Sequence, residues 1–365
     1  MLKVKARKQI DKTSINKILV RATNWVGDVV MTLPALEAIK KTFPSSSIAV
    51  LAKPWVLPLF ENHPAVNEVI SFKKGEGAFT GFSEILRTVS LIRKKRFDLA
   101  ILFQNAFEAA ALAFFGNVRY RIGYNTDGRG FLLTHSVLRT EEVLKFHQTD
   151  YYIYLLRAMG WQPDFTDHGN PDPRSGFPSV FLAREYTEKG RIIIESNGMN
   201  TNDFLIGLNP GAIFGGAKRW PADRFAKIGD LAVENWGAKV LVLGSKNETD
   251  ICKNLCSSMT RKALNLCGRT SLGEAMGIIG LCRFFVTNDS GLMHIAAALG
   301  VPTVAIFGPT DPVATGPRGP STKIIRHDTR CAPCLKPECP DDHRCMLSIE
   351  PEEVWEEMKT MRRST

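Results

Sequence analysis

FFVTNDSGLMHIAAALGVPTVAIFG, residues 284–308, decides the architecture. An aromatic and β-branched run at 284–288 (FFVTN) leads into an apolar, helix-like stretch, and a second β-type run follows at 303–307 (TVAIF). Strands this uniformly apolar are buried on both faces, the pattern of a parallel sheet covered by helices. Similar runs recur at 17–21 (KILVR), 47–51 (SIAVL), 98–103 (DLAILF), 204–209 (FLIGLN) and 239–243 (KVLVL), each followed by a helical stretch. The alternation predicts an α/β, doubly wound design. A chain of 365 residues is long enough for two such domains. Pro163, Pro171, Pro173 and Pro178 break regular structure between Gly160 and Val180 and mark a connector. We therefore expect Rossmann-like domains at 1–170 and 180–345, with a ligand cleft between them. Residues 350–365 should form a terminal helix packing back on the N-terminal domain. In PEEVWEEMKTMR (351–362) proline opens the helix, acids fill its first turns and bases its last, as the helix dipole favours.

Hydrophobic residues at 44% and charged residues at 23% exclude a disordered, collagen-like or disulfide-scaffold chain. The net charge is +10, and residues 1–200 hold 27 bases against 19 acids, so most of the excess lies in the first half. That balance suits an anionic partner: nucleic acid, an anionic lipid surface or an acidic glycan. No long apolar run or signal peptide is evident, and a cytoplasmic protein is expected.

Four segments carry candidate chemistry. In RATNWVGDVVMTLP (21–34), Asp28 follows the first strand, where a carboxylate can take a proton from a substrate hydroxyl or simply cap a helix. This stretch lacks the G-x-G-x-x-G spacing of a dinucleotide fold, which counts against a nicotinamide enzyme. In NPGAIFGGAKRWP (209–221), glycines beside Lys218 and Arg219 can let backbone amides and a point charge meet a phosphate, or form an ordinary solvated loop. In the deciding stretch, Ser290 is placed to cap a helix whose first amides favour an anion. His294, one turn on, either faces the same ligand as Asp289 or is a buried structural histidine. Finally, Cys331, Cys334, Cys339 and Cys345 fall within 15 residues and leave three readings open: structural zinc, a disulfide or redox role, or ordinary thiols. With zinc, the basic charge admits a nucleic-acid-binding protein as a reading from a different class, although the bases do not alternate with aromatics. The run RKKR at 93–96 reads as a helix end, and WVLPLF at 55–60 either touches lipid or is buried.

ILVRATNWVGDVVMTLPAL (18–36), NPGAIFGGAKRWPADRFA (209–226), VTNDSGLMHIAAALGVPTVAIFGPTDP (286–312) and CAPCLKPECPDDHRCM (331–346) together resemble glycosyltransferase family nine, the ADP-heptose:lipopolysaccharide heptosyltransferases. The resemblance implies a GT-B fold, with an acceptor-binding N-terminal domain and a donor-binding C-terminal one. It also implies inverting transfer from ADP-heptose without a cofactor or divalent metal. By motif position Asp28 is similar to the catalytic base, and Lys218 to the residue that stabilises the departing diphosphate. Asp289, Ser290, Gly291 and His294 resemble the donor loop, with Glu248 placed near the ribose and Thr270 near the adenine. Asn24, Trp25, Arg121 and Arg129 are candidates for the acceptor, an inner-core lipopolysaccharide whose anionic groups match the basic first half. Ile213 and Phe214 before the lysine resemble the branch that adds heptose to the first heptose, rather than siblings acting at the first or third. The same resemblance implies a cytoplasmic enzyme, peripheral at the inner-membrane surface, with no nucleic-acid partner.

Overall fold

The computed structural model describes residues 4–7, 9–73, 75, 78–161 and 176–364. The chain divides into two compact units, Met1–Gly176 and Phe177–Thr365. Of the connector prolines, Pro163, Pro171 and Pro173 lie outside the described residues.

The first unit holds a seven-stranded sheet. Its strands are β1 (Val4–Ala6), β2 (Lys17–Arg21), β3 (Ser47–Ala52), β4 (Glu68–Ser71), β5 (Leu99–Leu102), β6 (Tyr120–Tyr124) and β7 (His135–Val137). Their order is β1-β7-β6-β5-β2-β3-β4, all parallel except β1, which runs antiparallel along β7. The second unit holds β8 (Leu205–Asn209), β9 (Lys239–Val242), β10 (Ala263–Asn265), β11 (Phe284–Asn288), β12 (Thr303–Ile306) and β13 (Thr322–Ile325). Their order is β10-β9-β8-β11-β12-β13, parallel throughout. Without β1, both sheets follow the Rossmann order 3-2-1-4-5-6, in which the winding direction reverses between the first and fourth strands. Those switch points lie between β2 and β5 in the first unit and between β8 and β11 in the second.

The switch strands are buried because helices cover both faces. Ile18, Leu19 and Val20 of β2 and all of β8 are inaccessible to solvent. Register levels the strand ends: Arg21 pairs with Leu51 and Leu102, and Asn209 pairs with Thr287. Loops leaving those carboxyl ends therefore start from one edge of each sheet.

The terminal helix, Pro351–Ser364, places Val354, Trp355 and Met358 in the core of the second unit, beside Trp220, Phe225 and Ile228. Trp355 lies 4.4 Å from Trp236, ring centre to ring centre. An amphipathic helix docks wherever its apolar stripe finds apolar cover, and that stripe is spent here within its own unit. RKKR ends the helix Ala78–Lys95, as expected.

Candidate active site

In the second unit the motif loops follow the carboxyl ends of successive strands. The loop 210–221 leaves β8 and residues 289–291 leave β11, with Thr310 just beyond β12. Asn209 joins the first two loops: its amide donates to Thr287 Oγ1 at 3.0 Å and to Ser290 Oγ at 2.7 Å. Asn288 ties them again, donating to the Pro210 carbonyl at 2.7 Å and accepting the Trp220 amide at 3.0 Å. On this frame Lys218 Nζ meets Asp289 Oδ2 at 2.6 Å, with both side chains largely buried. Thr310 Oγ1 donates to the same carboxylate oxygen at 2.8 Å. The Phe214 ring lies 4.9 Å from Lys218 Nζ, a cation–π contact that shields the amine on a further side.

Ser290 caps the helix Gly291–Ala298, accepting the Met293 amide at 3.3 Å. A single cap leaves the earlier amides of the first turn, those of Gly291 and Leu292, without intrahelical partners. This end of the helix is therefore electropositive and begins two residues after Asp289. His294 is buried on the same helix. Glu248 is buried too: its Oε2 accepts both the Ser245 amide and hydroxyl at 2.7 Å in a capping box. Its carboxyl lies against Gly211, where a β-carbon would fall 2.2 Å from Glu248 Cδ and would push the carboxylate aside. Thr270 lies past the end of β10, directly before Ser271, the N-cap of the next helix.

In the first unit the helix Val26–Thr42 starts at Val26, so Asp28 stands in its first turn and is not its cap. The cap position belongs to Trp25, which makes no side-chain capping bond. The Asp28 carboxylate is felt by Tyr152, whose hydroxyl is pushed well up first by burial and then by that charge. Asn24 is held on two sides. Arg21 Nη2 donates to its Oδ1 at 3.1 Å, and the Trp55 indole donates to its carbonyl at 2.8 Å. Burial pulls the Arg21 guanidinium down to about 10. Trp25 and Trp55 expose most of their surface, at 64% and 55%, whereas Val56, Leu59 and Phe60 are buried.

The two acceptor arginines are placed otherwise than expected. Arg129 is wholly buried: it donates to the carbonyls of Tyr124 and Gln104 and to Asn105 Oδ1, and holds the loop 125–129 from inside. A buried guanidinium needs such a shell, and this one leaves no face for a ligand. Arg121 lies at the second residue of β6, paired with Ala100, away from the carboxyl edge that Asp28 follows. It donates to Leu132 and Val118 carbonyls. Sequence reasoning missed Thr310, Asn209, Asn288 and Trp55. Only their position just at or past strand ends signals them.

All eight cysteines are free thiols. Among the described residues no group of three or more His, Cys, Asp or Glu is arranged to hold a metal ion.

Two Rossmann-like units, one bearing a buried lysine–aspartate pair beside an electropositive helix end, make up the frame of the candidate site. The family model of glycosyltransferase family 9 (heptosyltransferase) matches residues 85–344, and the chain belongs to that family. It is 33% identical to the lipooligosaccharide heptosyltransferase 2 of Haemophilus ducreyi, over 94% of this chain and 99% of that protein. It is 32% identical to the lipopolysaccharide heptosyltransferase 2 of Salmonella typhimurium, over 94% and 98%. Among solved structures, the ADP-heptose LPS heptosyltransferase II of E. coli superposes with a TM-score of 0.79 at 28% identity, covering 96% of this chain and all of that one. Family membership replaces the reading as a zinc-containing nucleic-acid-binding protein.

Since Arg129 is an internal brace, Arg129→Ala should destabilise the protein by roughly 3–5 kcal/mol, because it strands buried acceptors. Calorimetry should show a melting point lower by about 10 °C. Unaltered melting with weakened acceptor binding would return Arg129 to the site.

Proposed function

We propose that this chain is an inverting glycosyltransferase that moves L-glycero-D-manno-heptose from ADP-heptose to the first heptose of the lipopolysaccharide inner core. The observation that carries the reading is the buried Lys218–Asp289 pair beside the first turn of the helix Gly291–Ala298. Full-length likeness to two proteins named heptosyltransferase 2 supports the donor and the acceptor.

In this mechanism Asp28 accepts the proton of the acceptor hydroxyl as its oxygen attacks the anomeric carbon of heptose. The bond from that carbon to the diphosphate oxygen breaks, and its electron pair leaves on ADP. Attack opposite the leaving group inverts the anomeric centre. Lys218 and the amides of Gly291 and Leu292 meet the charge growing on the diphosphate, a preorganised electrostatic contribution. Asp289 holds the lysine in place until the donor arrives and then faces the sugar hydroxyls. Glu248 and Thr270, past β9 and β10, serve the ribose and adenine, and His294 lines the donor loop. On the acceptor side Asn24 and the exposed rings of Trp25 and Trp55 offer a platform for a sugar. With lysine and amides answering the diphosphate, no divalent metal or other cofactor is required.

We further read the enzyme as cytoplasmic and peripheral at the inner membrane. Among the described residues no helix is long and apolar enough to cross a membrane. The helix Phe107–Phe115 instead turns an apolar face outward: Phe107, Phe114 and Phe115 are exposed, with Phe131 6.1 Å from Phe107. Arginines rim this face, Arg121 over the Phe114 ring and Arg93 on the Phe115 carbonyl. Aromatic rings rimmed by cations suit an anionic lipid surface.

Each of these roles has its own test. Asp28→Ala should lower turnover about a thousandfold while ADP affinity stays within a few-fold, as calorimetry and product mass would show. Lys218→Ala should weaken ADP binding and lower turnover together, and wild-type activity should persist in EDTA. On acceptors truncated at zero, one or two heptoses, only the one-heptose acceptor should gain mass; addition to another would indicate a sibling enzyme. Phe115→Ser with Phe131→Ser should abolish co-sedimentation with vesicles containing anionic lipid, and unchanged sedimentation would remove the membrane face.

A further inference from the structure

The cysteine-bearing segment found no role in the chemistry above, yet it touches the loop that carries Lys218. Three residues of single-turn helix, Gly216–Lys218, are too few to hold themselves in place. Their outside support comes from far downstream. The Pro337 carbonyl accepts the Ala217 amide at 2.9 Å, and Glu338 Oε1 accepts the Gly216 amide at 3.0 Å. His343 Nε2 lies 2.8 Å from the Ala217 carbonyl. A carbonyl only accepts, so this ring nitrogen carries the proton and donates it. Both polar backbone groups of Ala217, the residue before Lys218, are thus held by one segment.

That segment is itself anchored. Leu335 donates its amide to the Pro309 carbonyl at 2.9 Å, while Cys345 and Met346 are buried against Gly308. The Ile349 carbonyl accepts the Trp220 indole at 3.0 Å. Gly215 completes the fit, since a β-carbon there would stand 2.1 Å from the Pro337 carbonyl oxygen.

We propose that residues 335–349 form a strap that sets the Lys218 amine against its ligand, with His343 and Glu338 as positioning residues. The proposal rests on the reading of Lys218 as the group that meets the diphosphate. A displacement of about 1 Å at such a charge can cost a hundredfold in rate, so loosening the strap should show in turnover. Within this segment Cys345 is buried beside Met346, whereas Cys331, before the strap begins, is exposed.

The test is a set of variants read by transfer kinetics and ADP calorimetry. His343→Ala and Glu338→Ala should each lower kcat about tenfold, while His343→Gln and Glu338→Gln, which keep the donor and the acceptor, should stay within threefold of wild type. His343→Ala should weaken ADP binding at least threefold in the wild-type background and leave it unchanged in Lys218→Ala, because the strap acts through that amine. Wild-type kinetics in both alanine variants, or an equal loss of ADP affinity in both backgrounds, would overturn the strap. Should His343→Ala fail to fold, Glu338→Ala, at an exposed position, carries the same comparison. Wild-type turnover and ADP binding in Lys218→Ala would overturn the reading of the lysine itself, a separate failure.

Discussion

Two opposite charges 2.6 Å apart, Lys218 and Asp289, set the terms for the second unit. Removing an ammonium and a carboxylate from water costs several kcal/mol per ion, and their attraction offsets this only with close geometry and further hydrogen bonds. Thr310 supplies one such bond, and the Phe214 ring covers the amine. The two residues come from loops after β8 and β11, strands adjacent only because the winding reverses between them. A simple meander of the same strands would separate the charges. The topology therefore serves the electrostatics as much as the core.

Much of this frame was legible in the sequence because the switch strands are continuous apolar runs: KILVR, FLIGLN and FFVTN stand out by composition alone. The strands that escaped notice are short and mixed. In β4 (EVIS), β6 (YRIGY) and β13 (TKII) charged or small residues interrupt the run, and partners beside them supply the burial that composition hides. The exact helix start mattered at Asp28, which the sequence allowed as a helix cap, since Val26 starts the helix and moves the aspartate into its first turn.

At the site, legibility followed chain distance. Lys218, Asp289 and Ser290 lie in local motifs whose residue types announce anion chemistry. Asn209 bonding to Ser290, or His343 to Ala217, spans 81 and 126 residues, and no periodicity encodes such pairings. Arg129 shows the converse. An arginine between glycines reads as a solvated loop cation, because arginine is seldom fully buried, yet its fork of donors matches three inward-facing oxygens.

The strap also orders events in time. A chain emerging from the ribosome presents the glycine loop at 215–217 long before residues 337–343 exist, and the Gly216–Glu338 bond waits for 122 further residues. Until then the loop has only its ties to Asn288 and Asp289, and closing a contact of such sequence separation carries a larger entropic cost. The lysine loop gains these bonds only when the last tenth of the chain is made, the same stretch that brings Val354, Trp355 and Met358 into the core of the second unit.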